Sequence, residues 1–385
     1  MNNKIIYDSI ITGHHTEYIS HLVKAIVDQN IQKTNYFIIV PEGIHDKIPD
    51  IISLSKKSKN LHWEIMSATD CENLQKMPLY KRSFYELNLV QKYVKKFKAT
   101  EVILMYFNIF QMALIFKRPS FKITGILFLQ FYRMQKSTIF DKLKYYRKYL
   151  ITKLYSRNSK IKTVFILNDN KTVSYLNNRF KTDKFRMLPD PIPQYQEEER
   201  FDAHTYYKIP HNKKILLHPG AIDPRKGTFE IIESIDLLKE KETAEYAVVI
   251  VGKAKPEVEQ VILDKLSRLN NKEFTVIFDN SFVSNERLKS LFTQSFAVLM
   301  PYKNPEASSG ILGHAASSNK IVIVPKSGLI GDIVTNYNLG IVINAPKGSE
   351  IANAIKKLQH FVSNKRINNE FVSEHNVSVF SSLLI

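Results

Sequence analysis

Short apolar runs alternate with longer segments that are apolar on one side only, and the alternation continues along the whole chain. The runs are rich in Val, Ile and Leu and are followed by Gly, Pro, Asp or Asn, as buried strands are where they hand over to loops. The pattern predicts strands over Lys4 to Ile11, Tyr36 to Val40, Glu101 to Tyr106, Ile123 to Leu129 and Thr163 to Leu167 in the first half. In the second half it predicts Lys214 to His218, Tyr246 to Val251, Phe274 to Phe278, Ala297 to Met300 and Ile321 to Val324. Strands alternating with helical segments predict an α/β fold with parallel sheets.

The stretch LPDPIPQYQEEER interrupts this rhythm, because Pro189, Pro191 and Pro193 remove helix and sheet options and an acidic run follows. A linker there divides the 385 residues into an N-terminal domain over 1–189 and a C-terminal domain over 190–365, with 366–385 packing back on the first. Two cores suit this length. Each half then holds about five strands, enough for its own Rossmann-like, doubly wound parallel sheet. Ligands bind at the carboxyl ends of such strands, so the active site is expected in a cleft between the domains.

Charge changes the picture locally. The 55 Lys and Arg against 37 Asp and Glu give a net +18, and thirteen basic residues against one acid, Asp141, lie between Phe116 and Lys162. Such a stretch calls for an anionic neighbour. Within it, Leu143, Tyr146, Leu150 and Leu154 fall on one face of a helix with Lys and Arg on the other, which fits an anionic membrane surface bound through residues 117–162 and fits equally a basic helix packed on its own domain. Nucleic acid ranks behind both, because no recognition motif accompanies the charge. The longest apolar stretch, Val102 to Phe116, is shorter than the roughly 20 residues a membrane span needs. The N-terminus shows no cleavage site and reads as a strand, and the single cysteine, Cys71, excludes a disulfide framework. A cytoplasmic protein, peripheral on the inner face of the membrane, is the expectation.

Candidate chemistry concentrates in the second half. HPGAIDPRKGTFEIIESIDLL places Gly220 after a strand and brings Arg225 and Lys226 to the start of a helix that runs on through Ile231, Ile232, Ile235 and Leu238. A helix start with two cations beside it suits a diphosphate. Neither a dinucleotide fingerprint nor a P-loop is present. Further on, FAVLMPYKNPEASSGILGHAASSNK ends a strand at Met300, carries Glu306, Ser308, Ser309 and Gly310 on a loop, and opens a second helix at Ile311. A carboxylate there can accept hydrogen bonds from sugar hydroxyls, while the serines and the bare backbone at Gly310 can approach phosphate.

At these residues the chain resembles the retaining nucleotide-sugar glycosyltransferases of family 4, the group 1 glycosyl transferases, whose GT-B fold sets two Rossmann-like domains face to face across a cleft. Gly220, Lys226 and Gly227 match that family's glycine and Lys-Gly element, and Glu306 matches the first of its two glutamates. The resemblance implies a nucleoside diphosphate sugar as donor substrate, no cofactor, and donor binding by Gly220, Arg225, Lys226, Glu306, Ser308, Ser309, Gly310 and His314. Two positions depart from the family. Ala221 stands where an arginine is common, which leaves the cationic role to Lys226 with Arg225 as a substitute, and His314 stands at the second glutamate, as a ligand or as a packing residue.

On the acceptor side, TGHHTEYI follows the first strand, with Gly13 freeing the backbone, His14 and His15 available for phosphate or for proton transfer, and a helix beginning at Glu17. Gln130, at the end of another strand, completes the expected acceptor set of Gly13, His14, His15 and Gln130. Catalysis is expected from Lys226 against the departing diphosphate, from Glu306 toward the sugar, and from His14 as acid or base. No Asp-x-Asp or histidine cluster appears where a metal would clamp the diphosphate, so no metal site is expected. The function expected is transfer of a sugar to a glycan or lipid-linked acceptor in polysaccharide or glycolipid biosynthesis. The alternative is a catalytically degenerate sugar-nucleotide or glycan-binding protein of the same fold.

Overall fold

A computed structural model describes residues 2–29, 33–304, 306, 309–363 and 370–385 and divides the chain into two units, Met1–Asp190 with Val377–Ile385 and Pro191–Asn376. The division falls at Asp190 and Pro191. The C-terminal segment is shared: Glu370–Asn376 stays with the second unit, while Val377–Ile385 lies on the first, where Phe380 stacks on Tyr18 and Lys4 Nζ donates to the Ile385 carbonyl. Residues 366–369 are outside the described residues.

The first unit is built on a seven-stranded parallel sheet of β1 (Asn2–Tyr7), β2 (Thr34–Val40), β3 (Leu61–Ile65), β4 (Glu101–Leu104), β5 (Lys122–Leu127), β6 (Ile161–Leu167) and β7 (Phe185–Leu188), ordered β3-β2-β1-β4-β5-β6-β7. Successive side chains of a strand point to opposite faces. Ile5 and Tyr7 of β1 accordingly enter one apolar layer and Ile6 the other, and helices cover both. Strand order reverses direction between β1 and β4, which is where a doubly wound sheet opens a crevice.

The second unit repeats the plan with six parallel strands, β8 (Lys214–Pro219), β9 (Tyr246–Val251), β10 (Thr275–Asp279), β11 (Ala297–Leu299), β12 (Ile321–Pro325) and β13 (Gly340–Ile343), ordered β10-β9-β8-β11-β12-β13. Ile215 and Leu217 face one layer and Leu216 the other. Here the reversal lies between β8 and β11.

About five strands per half were expected, and seven and six are found. The three additional strands, β3, β7 and β13, each lie at an edge of a sheet. Edge strands are short and partly polar because one side meets solvent, so LHWEI and FRML carry no continuous apolar run. The first strand also ends earlier than expected, at Tyr7 rather than Ile11, because the buried Asp8 accepts a hydrogen bond from the Ile10 N–H at 3.0 Å and turns the chain out of the sheet. The helix expected from Glu17 starts at His14.

Candidate active site

At the reversal in the second sheet, β8 ends on Pro219 and the chain turns at Gly220, whose φ of 98° is left-handed. The loop then makes a single 3-10 turn, Pro224–Lys226, and enters the helix Thr228–Ile235 through Gly227, also left-handed at φ 78°. A Cβ at Gly227 would lie 2.3 Å from the Pro301 carbonyl oxygen, so only glycine lets this loop close against the end of β11. His218 fixes the arrangement from beneath. Its Nδ1–H donates to the Leu299 carbonyl at 2.8 Å and its Nε2 accepts from the Thr228 hydroxyl at 2.9 Å, and complete burial lowers its pKa from 6.5 to about 4. The neutral ring therefore ties β8, β11 and the helix start together.

The two expected cations separate. Lys226 is half-buried: its Nζ would be 2.9 Å from a Cβ at Gly220 and is 5.6 Å from the centre of the Tyr302 ring. Burial lowers its pKa, and the neighbouring Arg225 adds to that. An ammonium that is partly desolvated over bare backbone gains most from an anionic ligand. Arg225 points away, its guanidinium held by both Asp223 oxygens at 2.9 and 3.1 Å. The loop after β11 is locked to the same helix start, since Lys303 Nζ reaches Glu230 Oε1 at 2.6 Å and its N–H donates to the Arg225 carbonyl at 2.7 Å.

Ser309 caps the helix Gly310–Ser317 by accepting from the Ile311 N–H at 3.3 Å, and Ile311 packs within 3.5 Å of where a Gly220 Cβ would stand. The structure thus brings Gly220, Lys226, Ser309, Gly310 and the partly buried Tyr302 to one place. Tyr302 was not singled out from the sequence; desolvation of its hydroxyl pushes its pKa up to about 12, against an opposing contact with Ser309. Glu306 is on the same loop, its N–H donating to Asn304 Oδ1 at 2.9 Å. Ser308 lies outside the described residues. His314, one helical turn beyond Gly310, is stacked between Tyr195 and Phe292 with ring centres 5.5 Å away on each side.

In the first unit the loop after β1 separates the two histidines. His15 lies beyond the ends of β1, β4 and β5, its Nδ1–H donating to Asp8 Oδ2 at 2.8 Å, with the Tyr106 and Phe128 rings 5.6 and 6.0 Å away. Asp8 is fully buried, which raises its pKa against the favourable contact with His15. His14 is largely exposed, stacks on Tyr18 and lies 3.8 Å from the Glu17 carboxylate, which raises its pKa. Gly13 N-caps their helix, and the buried Gln130 follows Phe128 by two residues. Asp8 escaped the sequence reading; its signal was an acid directly at the end of an apolar strand.

The basic segment forms the helix Ile139–Tyr155, opened by a capping box between Thr138 and Asp141. Its inward face is Tyr145, Thr152 and Tyr155. Of the expected apolar face, Leu143 is 61% exposed, Tyr146 63% and Leu150 53% while Leu154 is partly buried, and Ile139 at 76% and Phe140 at 75% lie exposed beside them.

Among the described residues no group of His, Cys, Asp or Glu is placed to hold a metal ion, and no helix is long and apolar enough to cross a membrane. Residues 199–368 match the family model "Glycosyl transferases group 1". No curated protein matches the chain. Among solved structures it is similar to a glycosyltransferase from Rickettsia africae ESF-5, with TM-score 0.66 and 14% identity over 100% of this chain and 95% of that one. It is likewise similar to WaaG, a glycosyltransferase involved in lipopolysaccharide biosynthesis (TM-score 0.60, 15% identity, 97% and 98% covered). A third similarity is to MnaA of S. aureus in a co-structure with UDP (TM-score 0.58, 15% identity, 98% and 92% covered). At such identities these likenesses speak to fold, and the fold is GT-B.

Proposed function

We propose that the chain is a glycosyltransferase that moves a hexosyl group from a nucleoside diphosphate sugar to a glycan or lipid-linked acceptor, a reading supported by the match of residues 199–368 to the group 1 glycosyl transferase family model. The observation that carries the reading is Lys226, whose half-buried ammonium stands over Gly220 at the reversal point of the second sheet, between two helix starts. A diphosphate leaving group develops negative charge, and a cation already stripped of part of its water stabilises it without reorganisation. Lys226 takes the role a metal ion would otherwise have, and activity is therefore expected to survive chelation. Glu306 accepts hydrogen bonds from donor hydroxyls, Ser308, Ser309 and Gly310 line the phosphate side, and Arg225, its charge neutralised by Asp223, has only a minor part.

The first unit supplies the acceptor side through Gly13, His14, His15 and Gln130. Because Asp8 holds His15 Nδ1–H, Nε2 is left as an acceptor for a hydroxyl proton, so His15 rather than His14 is the base this geometry favours. That bears on stereochemistry. Family 4 resemblance implies retention of anomeric configuration, whereas an oriented base on the acceptor favours direct displacement with inversion. The anomeric proton coupling of the first product formed decides it. A screen of UDP-, GDP- and ADP-sugars for melting-point shift and for transfer tests the whole proposal. Binding without turnover across acceptors would support the catalytically degenerate alternative, which the packed His314 and Ala221 favour.

The outward stripe of the helix Ile139–Tyr155 supports a place on the inner face of an anionic membrane, in polysaccharide or glycolipid synthesis. Lys142 and Lys153 flank the stripe on one side and Arg147 and Lys144 on the other, the composition of a helix lying in the headgroup plane.

A further inference from the structure

A cavity of about 600 Å³ opens in the first unit between the loop Ser9–Thr12 after β1, the loop after β2 and the helix Ala68–Lys76. That volume lies within the roughly 300–1,000 Å³ of small-ligand sites. Its base is held by Arg82, which emerges from the helix Leu79–Phe97. Arg82 Nε donates to Glu86 Oε2 at 2.9 Å and its Nη2 to Ser9 Oγ at 3.1 Å, and the Glu86 carboxylate is wholly buried beneath Tyr7, where burial raises its pKa. Burying a carboxylate costs stability unless a cation compensates it. The pair fixes the guanidinium plane at the cavity wall and leaves its other N–H groups to a ligand.

We propose that this cavity is a saccharide site, and, resting on the glycosyltransferase reading above, that it seats the acceptor sugar. The wall carries a carboxylate in Glu42, an amide in Gln75, hydroxyls in Ser9 and Thr12 and the guanidinium of Arg82, set against the apolar Leu74. Planar groups that give or take paired hydrogen bonds, beside an apolar surface, match a ring bearing adjacent hydroxyls. Glu42 and Glu72 together outweigh Arg82 in charge, so an uncharged sugar is favoured over a phosphorylated one. The site is linked to the proposed base through Asp8. Ile10, in the cavity wall, donates its N–H to Asp8 Oδ1, and the other oxygen of Asp8 holds His15.

The chain's single cysteine makes the proposal testable without turnover, because Cys71 lines this cavity and is partly exposed. The rate at which iodoacetamide alkylates Cys71 is measured by mass spectrometry with a panel of free neutral mono- and disaccharides, with glucose 6-phosphate, with UDP, and with inorganic phosphate. At least one neutral saccharide should slow alkylation about fivefold or more in a saturable manner, while UDP and inorganic phosphate leave it unchanged. Gln75→Leu and Glu42→Gln, both at exposed positions, should abolish that protection with Tm and far-UV spectrum preserved. Protection by none of the neutral sugars, protection by UDP or phosphate, or protection that survives both substitutions overturns the assignment. None of these results touches the donor assays, so the saccharide site can fail while the glycosyltransferase reading stands.

Discussion

Replacing His218 by asparagine should flatten the acid limb of the second unit's stability. The His218 ring is buried and neutral, with both nitrogens engaged, and its pKa is lowered from 6.5 to about 4. Unfolded, the ring takes up a proton near pH 6.5; folded, it does so only near 4. Between those values the unfolded chain binds a proton that the folded one does not, so the stabilisation is complete above pH 6.5 and is lost as pH falls toward 4. At about 1.4 kcal/mol per unit the whole loss is about 3 kcal/mol, and the part expressed between pH 7 and pH 5 is about 2 kcal/mol. The ring is fully buried, so solvent screening does not reduce this figure.

Two units in one chain make a single unfolding transition a poor measure, so the assay is hydrogen exchange resolved to peptides from β8 and from the helix Thr228–Ile235. Opening free energies are taken at pH 7 and pH 5 in wild type and in His218→Asn. Asparagine keeps a donor for the Leu299 carbonyl but has no group that titrates in this range. The wild type should lose about 2 kcal/mol more than the variant over that interval. An equal loss in the two proteins refutes the reasoning, as does an imidazole resonance that titrates near its ordinary 6.5 in the folded protein.

Lys226→Ala removes the cation over Gly220 and should weaken UDP binding by roughly 10- to 100-fold, the worth of a charge-assisted hydrogen bond, by calorimetry; undiminished affinity in a folded variant removes Lys226 from the donor site. Glu306→Gln should lower turnover by more than about tenfold, roughly 1.4 kcal/mol, with nucleotide affinity nearly unchanged, and a fully active but less stable variant would return Glu306 to a structural role. Gly227→Ala forces a side chain into the Pro301 carbonyl at a left-handed φ and should lower Tm by several degrees, a shift that unaltered melting would contradict. Serine at Leu143, Tyr146 and Leu150 should abolish sedimentation with vesicles containing anionic lipid while leaving Tm unchanged, because these side chains are already in water; retained sedimentation removes the membrane from this face.

What the sequence revealed and what it withheld divide along a physical line. The central strands β8, β9, β11 and β12 are buried on both faces, so their apolar runs are continuous and mark themselves, as do the Gly220 and Gly227 turns between a strand and a helix. Some of what was missed was still local. Asp223 stands two residues before Arg225, accepts its N–H at 2.8 Å and holds its guanidinium, an Asx turn legible in DPRKG that would have separated Arg225 from Lys226 beforehand.

Other outcomes depend on partners far along the chain. Adjacent residues of a helix point about 100° apart, so only one of His14 and His15 can face the end of β1, and the choice is made by Asp8 together with Tyr106 and Phe128, which follow β4 and β5. His314 is claimed by Tyr195, more than a hundred positions earlier, and no spacing rule reaches that distance. The basic helix is the clearest case, because Ile139–Tyr155 carries two apolar stripes on opposite sides, and periodicity finds both without saying which turns inward. The aromatic stripe wins: Tyr145 meets Phe131 edge-on at 5.2 Å and Tyr155 meets Phe107 at 5.3 Å, burial that Leu143 and Leu150 would have to match. The losing stripe is left in water with lysines and arginines on both flanks, so of the two alternatives that periodicity leaves open, its exposure supports a lipid surface as its partner.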